Sequence, residues 1–188
     1  MASASSNNDL ARIRGIALDV DGVLTDGGVW WGPGNEEWKR FCFADIMGVS
    51  LAQRAGIEFA LISGEDSLLV DRFAEKMLIR HVFKGCRDKA SAFLEFSATT
   101  GIPVDELSFM GDDVNDLPAI EIAGFSAAPA NAVPAVLERA LFVAKNNGGN
   151  GAVREWVDAI LAARGIDPKE LLQKPRMTVA APGRQNSI

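Results

Sequence analysis

Three aspartates, Asp19, Asp21 and Asp26, fall within eight positions of the stretch ALDVDGVLTDGG, residues 17 to 28. They sit at the end of an apolar run, Ile13 to Leu18, that reads as a buried strand, so their charges repel one another with little water between them. A bound cation resolves that conflict. A second acidic group, Asp112, Asp113 and Asp116 in MGDDVND, follows another apolar run, Leu107 to Met110. In between come Ser63 and Gly64 after Ile57 to Ile62, then Lys84 and Lys89 after His81 to Phe83. A carboxylate nucleophile, hard oxygen ligands for a cation and donors for anionic oxygens are the requirements of phosphoryl transfer.

Each residue type then has a role. Asp19 is placed to attack phosphorus and form an aspartyl phosphate. Asp21, two residues on and on the same side of the strand end, is placed to protonate the leaving oxygen and later to activate water. Asp19, Asp112 and the backbone carbonyl of Asp21, with waters, make the oxygen cage that suits Mg²⁺. Asp113 and Asp116 support that cage from behind. Ser63 and the N–H of Gly64 can donate to a phosphate oxygen at a helix start, and Lys89 adds a point charge for the same group. Taken singly, each has a plainer explanation: an Asp after a strand often caps a turn, and a lone Lys is usually solvated. Their joint occurrence, each after a predicted strand, carries the functional reading. His81 is assigned no role.

The elements that position these residues follow from apolar spacing. Strands are expected at Ile13 to Val20, Ile57 to Ile62, His81 to Phe83, Leu107 to Met110, Gly124 to Ala128 and Leu141 to Val143. Helices are expected at Asp45 to Ala55, Ser67 to Met77, Arg87 to Thr100, Asn115 to Ile122, Val133 to Glu138 and Gly151 to Ala163. Alternation of this kind implies an α/β fold, a Rossmann-like, doubly wound and mostly parallel sheet with ligands at the carboxyl ends of its strands. The segment GGVWWGPGNEEWKRFCF alternates about a Gly-Pro-Gly-Asn turn and reads as a projecting β-hairpin. About 40 residues separate Asp21 from Ser63, and 22 separate Lys89 from Asp112, too few in either gap for a cap domain. The expected organisation is a disordered tail over 1–11, one domain over 12–173 and a C-terminal tail over 174–188, where Arg184 could reach an anionic substrate.

Composition limits the alternatives. The 188 residues are 48% hydrophobic with a net charge of −6 and no basic run, which argues against nucleic acid as partner. No run approaches the roughly 18 apolar residues of a membrane span, and the N-terminal MASASSNND lacks the apolar stretch of a signal peptide. Cys42, Cys86 and one histidine are too few for a disulfide framework or zinc site, so a reducing cytoplasm is expected. Trp30, Trp31 and Trp38 on the hairpin favour self-association, since an apolar projection calls for cover.

DVDGVLTDG, LISGE, GCRDK and MGDDVND together resemble the four motifs of the haloacid dehalogenase superfamily. Within it, GNEEWKRF and GGNGAVRE resemble the capless branch that contains the 3-deoxy-octulosonate 8-phosphate and nonulosonate 9-phosphate phosphatases. The resemblance implies a Mg²⁺-dependent sugar-acid phosphatase, a homotetramer in which hairpins associate, and Glu65, Lys76 and Asp45 near the sugar. Glu65 stands where the octulosonate enzymes usually carry arginine, and a carboxylate there would repel the sugar acid's own carboxylate. That substitution favours a nonulosonate 9-phosphate as substrate, although Phe73 stands where that group has arginine. The octulosonate 8-phosphate is the alternative. A second alternative is an assembly module associated with a sugar-acid cytidylyltransferase, against which the full set of carboxylates argues.

Overall fold

The computed structural model describes residues 7–34 and 36–175. A short helix, α1 (Asn7–Leu10), precedes β1 (Gly15–Leu18), whose four residues are all buried. β2 (Trp30–Trp31) and β3 (Glu37–Trp38) form an antiparallel hairpin ahead of α2 (Phe43–Arg54). There follow β4 (Glu58–Ile62), α3 (Leu68–Met77), β5 (His81–Phe83), α4 (Lys89–Thr100), β6 (Leu107–Met110), α5 (Leu117–Ile122), β7 (Phe125–Ala128), α6 (Pro134–Leu137), β8 (Phe142–Val143), α7 (Ala152–Ala163) and α8 (Pro168–Leu171).

Six strands form one sheet in the order β5-β4-β1-β6-β7-β8, and every neighbouring pair is parallel. Numbered among themselves they run 3-2-1-4-5-6, the doubly wound order, in which the direction of winding reverses beside β1. The two-residue period of a strand divides β1 between two cores. Ile16 and Leu18 pack with Val70 of α3 and Trp156 of α7, whereas Ala17 packs with Phe93 and Phe96 of α4. Burial on both faces explains why these strands read as apolar runs rather than as alternating patterns. Trp156 is fully buried and donates its indole N–H to Ser108 Oγ at 3.2 Å, which ties α7 to β6.

The expected doubly wound sheet and hairpin are both present. Among the described residues, the only strands or helices between β1 and α2 are those of the hairpin, so no cap domain is inserted there. In the hairpin Trp30 faces Trp38 across the ladder, both more than half exposed, and Trp31 is 77% exposed. The N-terminal boundary is corrected: residues 7–10 are helical and Leu10 packs against the core, so folded chain begins before residue 12. The expected C-terminal tail, Arg184 included, lies outside the described residues apart from Lys174 and Pro175. Among the described residues, no helix is long and apolar enough to cross a membrane.

Candidate active site

Asp19 is the first residue beyond β1, and its N–H continues the sheet ladder to the carbonyl of Met110 at 3.0 Å. Asp112 lies two residues beyond β6, the neighbouring strand. The reversal of winding thus sets two carboxylates side by side, and oxygens of Asp19, Asp112 and Asp116 lie within 4.8 Å of one another. Gly22 makes room for this approach: its φ is +96°, and a Cβ there would stand 2.0 Å from Asp112 Oδ2. From the other side Gly148 closes over the same turn, where a Cβ would meet the Gly22 carbonyl oxygen at 1.7 Å.

Lys89, the first residue of α4, reaches into this cluster. Its Nζ lies 2.8 Å from Asp19 Oδ1 and 2.6 Å from Asp116 Oδ1, with only 1% of the side chain exposed. A cation at a helix N-terminus opposes the helix macrodipole, so the carboxylates rather than the helix hold Lys89 there. Burial would lower the lysine pKa, but Asp19 and Asp116 overcome it and hold the group above its ordinary value. Asp116 is itself fully buried, and its Oδ2 accepts the N–H groups of Asp112 and Asp113 at 2.9 and 3.2 Å. Asp113 Oδ1 accepts the Val114 N–H, completing a reciprocal cap with Asp116 that fixes the loop after β6.

Three carboxylates therefore face one ammonium. Burial, and next the charge of Asp116, push Asp19 up to about 8 against the pull of Lys89. Burial and Asp116 likewise push Asp112 up to about 6. Asp112 Oδ1 is buried without a hydrogen-bond partner among the described residues. A hard divalent cation suits both the excess of negative charge and that unpaired oxygen. Asp19 and Asp112 are the carboxylates of this group that could hold Mg²⁺. Asp116 is already engaged by Lys89 and two N–H groups, which leaves it to support the others.

The cluster opens into a crevice of about 210 Å³ lined by Asp19, Asp21, Gly64, Glu65, Lys89, Asp112, Asp113 and Asn115. Most of the residues expected at the site are brought together here. Ser63 is not part of the lining: it is fully buried, and its Oγ accepts the Glu65 N–H at 3.1 Å, shaping the turn that presents Gly64 and Glu65. Lys84 pairs with Asp66 and Asp71, at 2.8 and 2.7 Å, and does not line the crevice.

Asp45 requires correction. It is 1% exposed, and its two oxygens accept the N–H groups of Gly151 and Arg154 at 3.0 and 2.9 Å. It caps the start of α7 from the first turn of α2, so an acidic residue read as a sugar contact is a joint between two helices. Lys76 lies in an adjoining groove of about 440 Å³, with Lys39, Phe41, Phe43, Arg72 and Phe73 among its lining residues. Its Nζ is 5.7 Å from the centroid of the Phe43 ring, while Phe73 is buried and stacked on Phe41 at 4.8 Å. Lys39 joins groove to crevice, because its Nζ pairs with Asp21 Oδ1 at 2.8 Å. Lys39 and Asn115 are site residues that sequence reasoning missed. For Lys39 the signal was present: alternation in NEEWKRF puts Glu37 and Lys39 on the side of the strand opposite Trp38 and Arg40.

The profile of the haloacid dehalogenase-like hydrolase family matches residues 64–155. Over 154 residues, 82% of each chain, the sequence is 39% identical to the 3-deoxy-D-manno-octulosonate 8-phosphate phosphatase KdsC of Escherichia coli K12. It is 37% identical to the KdsC of Yersinia pestis over the same shares. The 3-deoxy-D-manno-octulosonate 8-phosphate phosphatase of Moraxella catarrhalis, solved with magnesium, phosphate and KDO, superposes with a TM-score of 0.82. That likeness covers 85% of this chain and 91% of the other at 33% identity. The cobalt-bound Haemophilus influenzae phosphatase gives a TM-score of 0.84 and 34% identity, covering 88% of this chain and 99% of that one.

Proposed function

Because the chain belongs to the haloacid dehalogenase-like hydrolases, we propose that it hydrolyses a phosphorylated keto sugar acid, 3-deoxy-D-manno-octulosonate 8-phosphate, through an aspartyl phosphate on Asp19. The observation that carries the chemistry is the convergence of Asp19, Asp112 and Asp116 on Lys89 at the reversal of the sheet. Asp19 attacks phosphorus as the sugar oxygen leaves, and Asp21 gives that oxygen its proton. Asp21 then takes a proton from water, which attacks the phosphorus of the acyl phosphate; inorganic phosphate departs and the Asp19 carboxylate is restored. Lys89 and the N–H of Gly64 hold phosphate oxygens in line. Asp19 and Asp112 would hold Mg²⁺, which when bound would neutralise the repulsion between the Asp19 carboxylate and the phosphate.

The relatives favour the eight-carbon substrate over the nine-carbon one expected from Glu65. A physical reason supports them. Glu65 lines the crevice and repels a carboxylate, but Arg72 and Lys76 line the adjoining groove and supply cations of the kind that a sugar acid's carboxylate needs. Glu65 is left to accept hydrogen bonds from sugar hydroxyls. The exposed tryptophans of the hairpin support assembly into a homotetramer, in which a neighbouring subunit covers a crevice that lacks a cap. Cys42 and Cys86 are both free thiols, as suits a cytoplasmic enzyme.

The test is phosphate release from the eight- and nine-carbon sugar acid phosphates. The wild type should prefer the eight-carbon compound, and Asp19→Asn should remove turnover while the circular dichroism spectrum is unchanged. Asp19→Asn turnover within about tenfold of wild type would refute the nucleophile; preference for the nine-carbon compound would restore the reading based on Glu65.

A further inference from the structure

We propose that Lys39 is a positioning residue for Asp21, through which the hairpin sets the general acid of the reaction; this rests on the phosphatase reading above. Lys39 follows β3 directly, and only 6% of its side chain is exposed. Burying an ammonium costs several kcal/mol unless it is paired. Here it has two partners, Asp21 Oδ1 at 2.8 Å and Glu37 Oε1 at 3.4 Å. Glu37 is fixed in turn, since its Oε1 accepts the hydroxyl of Ser67 at 2.8 Å, and Ser67 is the residue that caps α3. The ammonium is therefore located from β3 and from the start of α3 before it meets Asp21.

Asp21 needs such a support. It lies beyond β1 in the turn that contains Gly22 at φ +96°, where no strand ladder constrains it. The pair with Lys39 engages Asp21 through Oδ1. Arg40, on the other side of the same strand, fastens the hairpin to the turn a second time: Nε donates to Asp26 Oδ2 at 3.0 Å and Nη2 to the Gly149 carbonyl at 2.9 Å. The turn carrying the general acid is thus gripped at Asp21 and Asp26 by consecutive residues of the hairpin. A displaced hairpin would release Asp21 while leaving Asp19 and Lys89 in place, because Asp19 is held by Lys89 and the Met110 carbonyl, and Lys89 by Asp19 and Asp116.

The experiment separates an action through Asp21 from general damage. A sugar phosphate has a poor leaving oxygen and needs the acid, whereas p-nitrophenyl phosphate leaves without one. In Lys39→Met, kcat/KM for the sugar phosphate should fall by about 10²-fold and for the aryl ester by less than about fivefold. Lys39→Arg, which keeps the charge, should recover part of the loss. Adding Lys39→Met to Asp21→Asn should cost nothing further, and if the single variant folds poorly this double variant leaves only Glu37, part-exposed and still bonded to Ser67, without the ammonium. Equal losses on both esters, or a further loss in the double variant, would overturn the assignment alone. A wild type that hydrolyses neither ester would overturn the phosphatase reading and this assignment with it.

Discussion

Lys89 and Asp19 stand 70 residues apart in the chain, yet the ammonium of one lies 2.8 Å from Oδ1 of the other in a buried site. Asp116 shares the same ammonium at 2.6 Å. Removing it leaves two carboxylates facing each other without a counter-charge, and breaking a buried pair of this kind costs about 3–5 kcal/mol. Lys89→Met should therefore lower the unfolding temperature in chelator by several degrees, and Mg²⁺ should restore part of the difference. Thermal unfolding of both proteins with and without Mg²⁺ checks this; an unchanged midpoint in chelator would mean that the pair contributes no stability.

Proton release should accompany metal binding. Without the cation Asp112 titrates at about 6 and Asp19 at about 8, both raised by burial and by Asp116, so the cluster holds a proton near neutrality. Mg²⁺ needs the ionised carboxylates, so its apparent affinity should rise with pH through 6 to 8 and level off above. Calorimetric titration in buffers of different ionisation enthalpy reads the proton count directly. An affinity independent of pH across that window would show that the carboxylates are already ionised.

Asp45→Ala should be a stability variant. It removes the acceptor for two N–H groups at the start of α7, a loss of about 1–2 kcal/mol. Denaturant midpoints should shift accordingly while KM for the sugar phosphate stays within about twofold, against roughly tenfold for a lost substrate hydrogen bond of about 1.4 kcal/mol. A raised KM with an unchanged midpoint would return Asp45 to the sugar.

The hairpin makes a separate demand. Trp30→Ser with Trp31→Ser removes two of its most exposed aromatic faces and should shift the species seen by light scattering toward smaller mass, with activity falling in step. A wild type that scatters as a monomer would refute the shared-site assembly.

Strand-end chemistry was legible from the sequence alone because the central runs of a parallel sheet are buried on both faces, and polar residues that follow the strands collect at one edge. Asp19, Asp21, Gly64, Lys89, Asp112 and Asp113 were found in this way, and all six line the crevice. The order of strands and helices followed from the same periodicities, with boundaries displaced by a few residues where a cap or a turn took over, as at Asp88 before α4.

What only the tertiary structure decided concerns residues whose partners are distant in sequence. Asp45 reads as a sugar contact until the start of α7, over 100 residues later, arrives to be capped by it. Lys39 takes on a role only when the hairpin folds back and buries its ammonium between Asp21 and Glu37. Residue type and local period specify which face of its own element a side chain takes, but not which element will be packed against that face. For a charged group that neighbour decides whether water or a counter-ion compensates it, and so whether it is a solvated surface group, a helix joint or part of a site.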